Sequence, residues 1–119
     1  MPTVRGIALA VILFSWCAGA FATTGNELAR FCGVTEGGPA NRAICGGYIA
    51  GVYETALELA KAATPTGAQR RIGICAAEGV TSEQFEDVVK SHLRRTPATR
   101  HLPAPGLVLR ALETAFPCK

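Results

Sequence analysis

The stretch Ala40–Ala63, ANRAICGGYIAGVYETALELAKAA, decides the fold class. It follows Gly38-Pro39, and proline suits a helix start because its missing N–H would have no partner there. It ends before Thr64-Pro65-Thr66-Gly67, a strong stop signal. Ile44, Tyr48, Ile49, Val52, Ala56, Leu59, Ala60 and Ala63 recur at spacings of three and four, which predicts one apolar stripe on a long helix. At about 1.5 Å per residue that helix spans roughly 36 Å. Arg42, Glu54, Glu58 and Lys61 fall mostly off the stripe. Gly46, Gly47 and Gly51 each cost roughly 1 kcal/mol against alanine in a helix interior, and the use we expect for them is close approach of a second helix. Gly47 and Gly51, one turn apart, flatten one side. Gly-xxx-Gly also marks membrane-helix dimers, but the flanking charges leave no apolar run of spanning length.

Working outward, Thr24-Gly25-Asn26-Glu27 fits a capping box, in which Thr24 bonds forward and Glu27 reaches back. Leu28, Phe31 and Cys32 form the expected inner face of the short helix that follows, and Gly33–Pro39 is a glycine-rich connection. Beyond the long helix, Pro65–Gly73 reads as a polar loop holding Gln69, Arg70 and Arg71. Thr81-Ser82-Glu83-Gln84 is a second capping box, and Phe85, Val88, Val89, His92 and Leu93 recur at helical spacing after it. Acidic residues Glu83, Glu86 and Asp87 crowd its first turns and Lys90, Arg94 and Arg95 its later ones, an order that suits the helix dipole. Thr96-Pro97 stops it. Ala98–Pro103 is a second polar loop, with Arg100 and His101, and Ala104-Pro105 opens a last helix with the stripe Leu107, Val108, Ala111, Leu112, Ala115 and Phe116. No segment alternates in the manner of an exposed strand. The expectation is all-α: a small four-helix domain of two helical hairpins.

Residues 1–22 have the pattern of a secretory signal: Arg5 at the start, an apolar run from Gly6 to Cys17, and Ala20-Phe21-Ala22 as the cleavage site. Cleavage after Ala22 would leave a single domain, 23–119, in the periplasm. Acylation at Cys17 is disfavoured by the bulky Trp16 before it. The domain then keeps eleven basic against nine acidic residues, a net charge of +2, which is not a nucleic-acid footprint. After cleavage no membrane association is expected.

Cys32, Cys45, Cys75 and Cys118 remain, an even number in a short exported chain, and allow three connectivities. Zinc is the other use of four cysteines, but no C-x-x-C pair exists and an oxidising compartment favours disulfides. A short connection makes consecutive helices antiparallel neighbours, so the end of the first helix (Cys32) faces the start of the second (Cys45). Likewise Cys75 precedes the third helix and Cys118 follows the fourth. The pairing expected is Cys32–Cys45 and Cys75–Cys118; the two alternatives would cross-link the hairpins to one another.

Enzyme chemistry is poorly supplied. The domain has one aspartate (Asp87), two histidines and two serines. Ser82 belongs to a capping sequence, Ser91 and His92 are adjacent on one helix and point apart, and the cysteines have partners. We therefore expect no catalytic residue, no metal site and no cofactor. His92, on the inner stripe, reads as a satisfied core or interface histidine, and Tyr48 as a core residue. The residues with promise for binding a partner are Arg94, Arg95, Arg100 and His101 around one loop, Arg70 and Arg71 in the other, and Tyr53, which lies off the stripe. Arginine is enriched at binding hot spots because its planar fork makes several directed bonds.

Several pieces together carry a resemblance: Cys45-Gly46-Gly47-Tyr48-Ile49-Ala50-Gly51; Cys75 with Gly79-Val80-Thr81; Val88-Val89; and His101 with Leu107-Val108, Ala111-Leu112 and Ala115-Phe116-Pro117-Cys118. In this order they cover nearly all of 23–119, and the chain resembles the Rap/Tai-type immunity proteins of bacterial type VI secretion. It departs from that pattern at Ala76-Ala77, where the family has proline nearby, and at His92, where it has an aromatic residue. The resemblance implies a small helical periplasmic protein, often a homodimer, that binds a peptidoglycan amidase effector and blocks its active-site cleft. The other class open to the sequence is a small periplasmic, disulfide-bonded stress protein or chaperone.

Overall fold

In the computed structural model, residues 22–35 and 40–119 are described. The signal segment, with Arg5, Cys17 and Ala20-Phe21, and the Gly38-Pro39 pair lie outside them. Among the described residues are five helices: α1 (Gly25–Phe31), α2 (Arg42–Ala63), α3 (Ala68–Ile72), α4 (Ser82–Arg95) and α5 (Ala104–Ala115), with a 3₁₀ turn at Pro97–Thr99. The only extended pairings there are two isolated antiparallel bridges, Thr24 with Pro103 and Ile74 with Pro117.

Both capping boxes form. Thr24 Oγ1 accepts from the Glu27 amide while the Glu27 carboxylate accepts from the Thr24 amide, at 3.3 and 2.7 Å. Thr81 and Gln84 repeat the exchange at 3.3 and 2.8 Å. Asn41 caps α2 by accepting from the Ile44 amide at 3.1 Å, so the helix starts two residues into the stretch that begins at Ala40. The expected Pro65–Gly73 loop is corrected: it holds α3. Gly67 and Gly73 bracket that helix with φ of 80° and 74°, and the Gly73 amide donates back to the Arg70 carbonyl at 3.2 Å. Left-handed glycine just past a helix end is a C-cap; these glycines delimit a helix rather than dissolve one.

The hairpin α1–α2 is closed by Cys32–Cys45 and by the Asn41 amide donating to the Phe31 carbonyl at 2.9 Å. The hairpin α4–α5 turns through Thr96–Pro103. Its far end carries Cys75–Cys118, beside a bond from the Cys75 amide to the Phe116 carbonyl at 2.8 Å. The Cα separations across the two disulfides are 5.0 and 4.9 Å. The N-terminal turn of α1 ties the hairpins together: the amides of Gly25 and Asn26 donate to the carbonyls of Leu102 and Arg100 at 2.9 and 2.7 Å.

Leu28, Ile49, Ile74, Val89, Leu93, Val108 and Leu112 are among the largest fully buried side chains where these elements meet, and burial of each stabilises by about 1.5–3 kcal/mol. Tyr53, Phe85 and Phe116 flank this core as an aromatic series, with ring centroids 4.9 and 5.3 Å apart. The single stripe expected on α2 is corrected to two faces. Cys45, Ile49 and Ala60 are buried, while Ile44 is 45% and Leu59 69% exposed. A helix apolar nearly all round covers the core with one face and shows the other to solvent.

Candidate partner-binding surface

The Thr96–Pro103 turn is built to end α4. The Thr96 amide and hydroxyl both donate to the His92 carbonyl, at 3.0 and 2.8 Å, and Pro97 begins the 3₁₀ turn. Arg100 then folds back, its Nε donating to the Leu93 carbonyl at 2.6 Å. A guanidinium at the carbonyl end of a helix satisfies an orphan acceptor and the dipole together. Arg100 is therefore half-buried and engaged with its own chain. Around it, Arg94, Arg95 and His101 are exposed, Arg95 donating to Ser91 Oγ at 2.8 Å.

Arg70 and Arg71 are placed elsewhere. Arg70 Nη1 donates to the Lys119 carbonyl and Arg71 Nη1 to Thr64 Oγ1, both at 3.0 Å. Pro103 leads into α5 and Pro117 follows it, so the two arginine sets sit at opposite ends of that helix, roughly 18 Å apart by its length. They do not form one surface. Tyr53 stands edge-on to Phe85 at the border of the core.

Three features escaped the sequence reading. The first is an apolar groove of about 560 Å³ between α2 and α5, lined by Gly47, Tyr48, Gly51, Ala56, Leu59 and Leu109. Among the described residues a Cβ added at Gly47 or Gly51 would meet nothing within 4 Å, so no described element packs against those glycines. Tyr48, expected in the core, is half-buried on this groove; burial raises its phenol above the ordinary value, the Glu27 carboxylate adds to this and a hydrogen bond with Thr23 opposes it. The 44/47/48/51/55/59 spacing held the signal, but it is interleaved with the core face and reads as one stripe.

The second feature is Glu86. Read from the sequence as one of the acidic residues in the first turns of its helix, it is only 7% exposed and accepts from Lys90 Nζ at 3.3 Å, with Arg42 Nε at 4.0 Å. Gly46 packs so closely on this carboxylate that a Cβ there would collide with it. Of the three glycines in α2, this is the one that serves close helix approach.

The third concerns His92. It is half-buried, but its Nε2 is inaccessible and has no hydrogen-bond partner among the described residues, so it is not the satisfied histidine anticipated. Burial, then the nearby Arg95 and Arg110 guanidinium groups, hold its pKa below the usual imidazole value.

Among the described residues no group of three or more His, Cys, Asp or Glu side chains is arranged to hold a metal ion, and no helix is long and apolar enough to cross a membrane. In comparison with known proteins, the model of the family described as Rap1a immunity proteins matches residues 24–118. No curated protein and no solved structure matches the chain.

Proposed function

The chain belongs to the Rap1a immunity proteins, and from that premise we propose that it is a stoichiometric, non-catalytic inhibitor of a peptidoglycan amidase delivered by type VI secretion. The match across residues 24–118, which takes in both disulfides, carries this reading. In it, the N-terminal segment directs export and is removed after Ala22, and the disulfide-bonded domain meets the effector in the periplasm. The surface we assign to the effector is the α4–α5 turn, where Arg94, Arg95 and His101 are exposed and Arg100 braces the backbone from within. Guanidinium groups on a rigid turn suit an acidic cleft rim, since little ordering entropy is lost on docking. Arg70, Arg71 and Tyr53 are held by their own chain and are assigned secondary parts.

A homodimer completes the proposal, with the α2 groove as its face. An antiparallel crossing near Gly51-Val52 would set Ile44 of one copy against Leu59 of the other, and the open glycines allow close helix approach.

The test is titration of the purified 23–119 domain into an amidase encoded beside it. Inhibition should saturate near equivalence, and charge reversal at Arg94 and Arg95 should weaken it more than reversal at Glu54 and Glu58. Absence of inhibition, or turnover of wall fragments by the domain alone, would overturn the proposal.

A further inference from the structure

Between the C-terminal half of α4, the 3₁₀ turn and the first half of α5 lies a cavity of about 350 Å³. Leu102, Pro103 and Leu107 give it apolar walls, and His92 and Arg110 also line it. The hydroxyls of Thr96 and Thr99, also in the lining, are already committed to the carbonyls of His92 and Thr96 at 2.8 and 3.1 Å. His92 Nε2 is different: it is shut away from solvent and, among the described residues, unbonded. A buried polar atom without a partner is rare and calls for an explanation. Arg110 is exposed and forms no ion pair among the described residues. Gly106, in the interior of α5, also lines the space; among the described residues a Cβ there would meet nothing within 4 Å, so their packing does not require a glycine.

We propose that this cavity is a binding site for a small aliphatic monocarboxylate, whose chain lies against Leu102 and Leu107 and whose carboxylate pairs with Arg110 and, once the imidazole turns to bring its Nε2 to the cavity, with His92. The chemistry selects the class. An apolar wall with a few convergent polar groups is the usual make-up of a small-molecule site. Both polar groups become donors to one carboxylate once the imidazole is protonated, and charge-assisted bonds of this kind are the strong ones. A neutral alcohol would leave the guanidinium without a counter-charge. A phosphate dianion would bring more hydrated oxygen than two donors can replace.

Binding is coupled to protons. The charged groups around His92 are Asp87 and Arg95 on α4 itself and Arg110 on α5; from the connecting turn come Arg100, held on the Leu93 carbonyl, and exposed His101. A carboxylate seated at Nε2 favours the imidazolium, so affinity should rise as pH falls.

The experiment is amide and imidazole NMR with hexanoate and hexan-1-ol as probes. At about pH 5.5 hexanoate should bind roughly tenfold more tightly than hexan-1-ol, with shifts centred on Thr96, Gly106 and Arg110, and should raise the His92 imidazole pKa. Arg110→Gln should erase the preference for the acid while leaving the alcohol's affinity unchanged. Gly106→Leu should exclude both probes. Gly106→Ala, a small change that favours the helix, should raise the melting temperature, separating loss of binding from loss of fold. Equal affinity for the two probes, shifts centred on the α2 groove, or an unmoved His92 titration would each overturn the proposal.

Discussion

Glu86 and Gly46 are a pair in which one residue explains the other. The buried carboxylate needs Lys90 and Arg42, and it reaches them only because position 46 has no side chain. Removing the carboxylate by Glu86→Ala should destabilise by about 1.5–3 kcal/mol, the worth of hydrogen bonds to a charged group. Gly46→Ala should be harmful beside Glu86, yet stabilising by up to about 1 kcal/mol in the Glu86→Ala background, where only helix propensity remains. Urea unfolding of the four variants measures the coupling, and additivity would refute the account. His92 makes a prediction in pH. Its folded pKa lies below the unfolded value, so the unfolded state binds more protons in the window below about 6.5. Its contribution to stability is therefore greatest above that window and declines as pH falls through it. His92→Gln should flatten the slope of unfolding free energy with pH below about 6.5.

At the scale of elements, the seating of α1 on the α4–α5 turn depends on Gly25. A Cβ there would press on the Leu107 side chain and stand 2.8 Å from the Arg100 carbonyl, which is fixed backbone. The amides of Gly25 and Asn26 also donate to that turn. Gly25→Ala should cost about 1–3 kcal/mol, the range of core overpacking, and speed amide exchange at both Asn26 and Arg100. A neutral Gly25→Ala would mean that α1 is not held by this contact. The capping sequence makes the start of α1 legible, but the glycine inside it looks like any flexible residue until the opposing turn is in place.

For the whole molecule, the two disulfides differ in the loop they close, with sequence separations of 13 and 43 residues. Chain-entropy arguments give about 3 kcal/mol for the shorter loop and about 4 kcal/mol for the longer. Replacing Cys75 and Cys118 together by serine should lower the urea midpoint further than replacing Cys32 and Cys45, and the reverse order would show that strain or residual structure dominates. The α2 groove bears on assembly. Leu59→Asp, at a position 69% exposed, should leave monomer stability within about 0.5 kcal/mol. It should abolish any dimer seen by sedimentation, while Gly51→Ala should stiffen the monomer and weaken the pair. A dimer unaffected by both would move the interface off α2.

What the sequence determined by itself was local or covalent. The starts of α1 and α4 were legible because each capping box joins residues three apart, and the core faces of α4 and α5 because apolar spacing repeats every turn. The disulfide pairing followed from short connections, which leave consecutive helices few ways to lie. Family membership was legible in Cys45–Gly51 and Ala115–Cys118, and the match over residues 24–118 agrees with it. Only the tertiary structure decided how α2 divides its apolar residues between core and solvent, since either face satisfies the same periodicity. It alone set Glu86 inside, held Arg100 against the Leu93 carbonyl, and left His92 Nε2 without a partner among the described residues. Each of these depends on what a second element brings to within a few ångströms of a side chain, and a periodicity along one helix holds no record of its neighbour across the core.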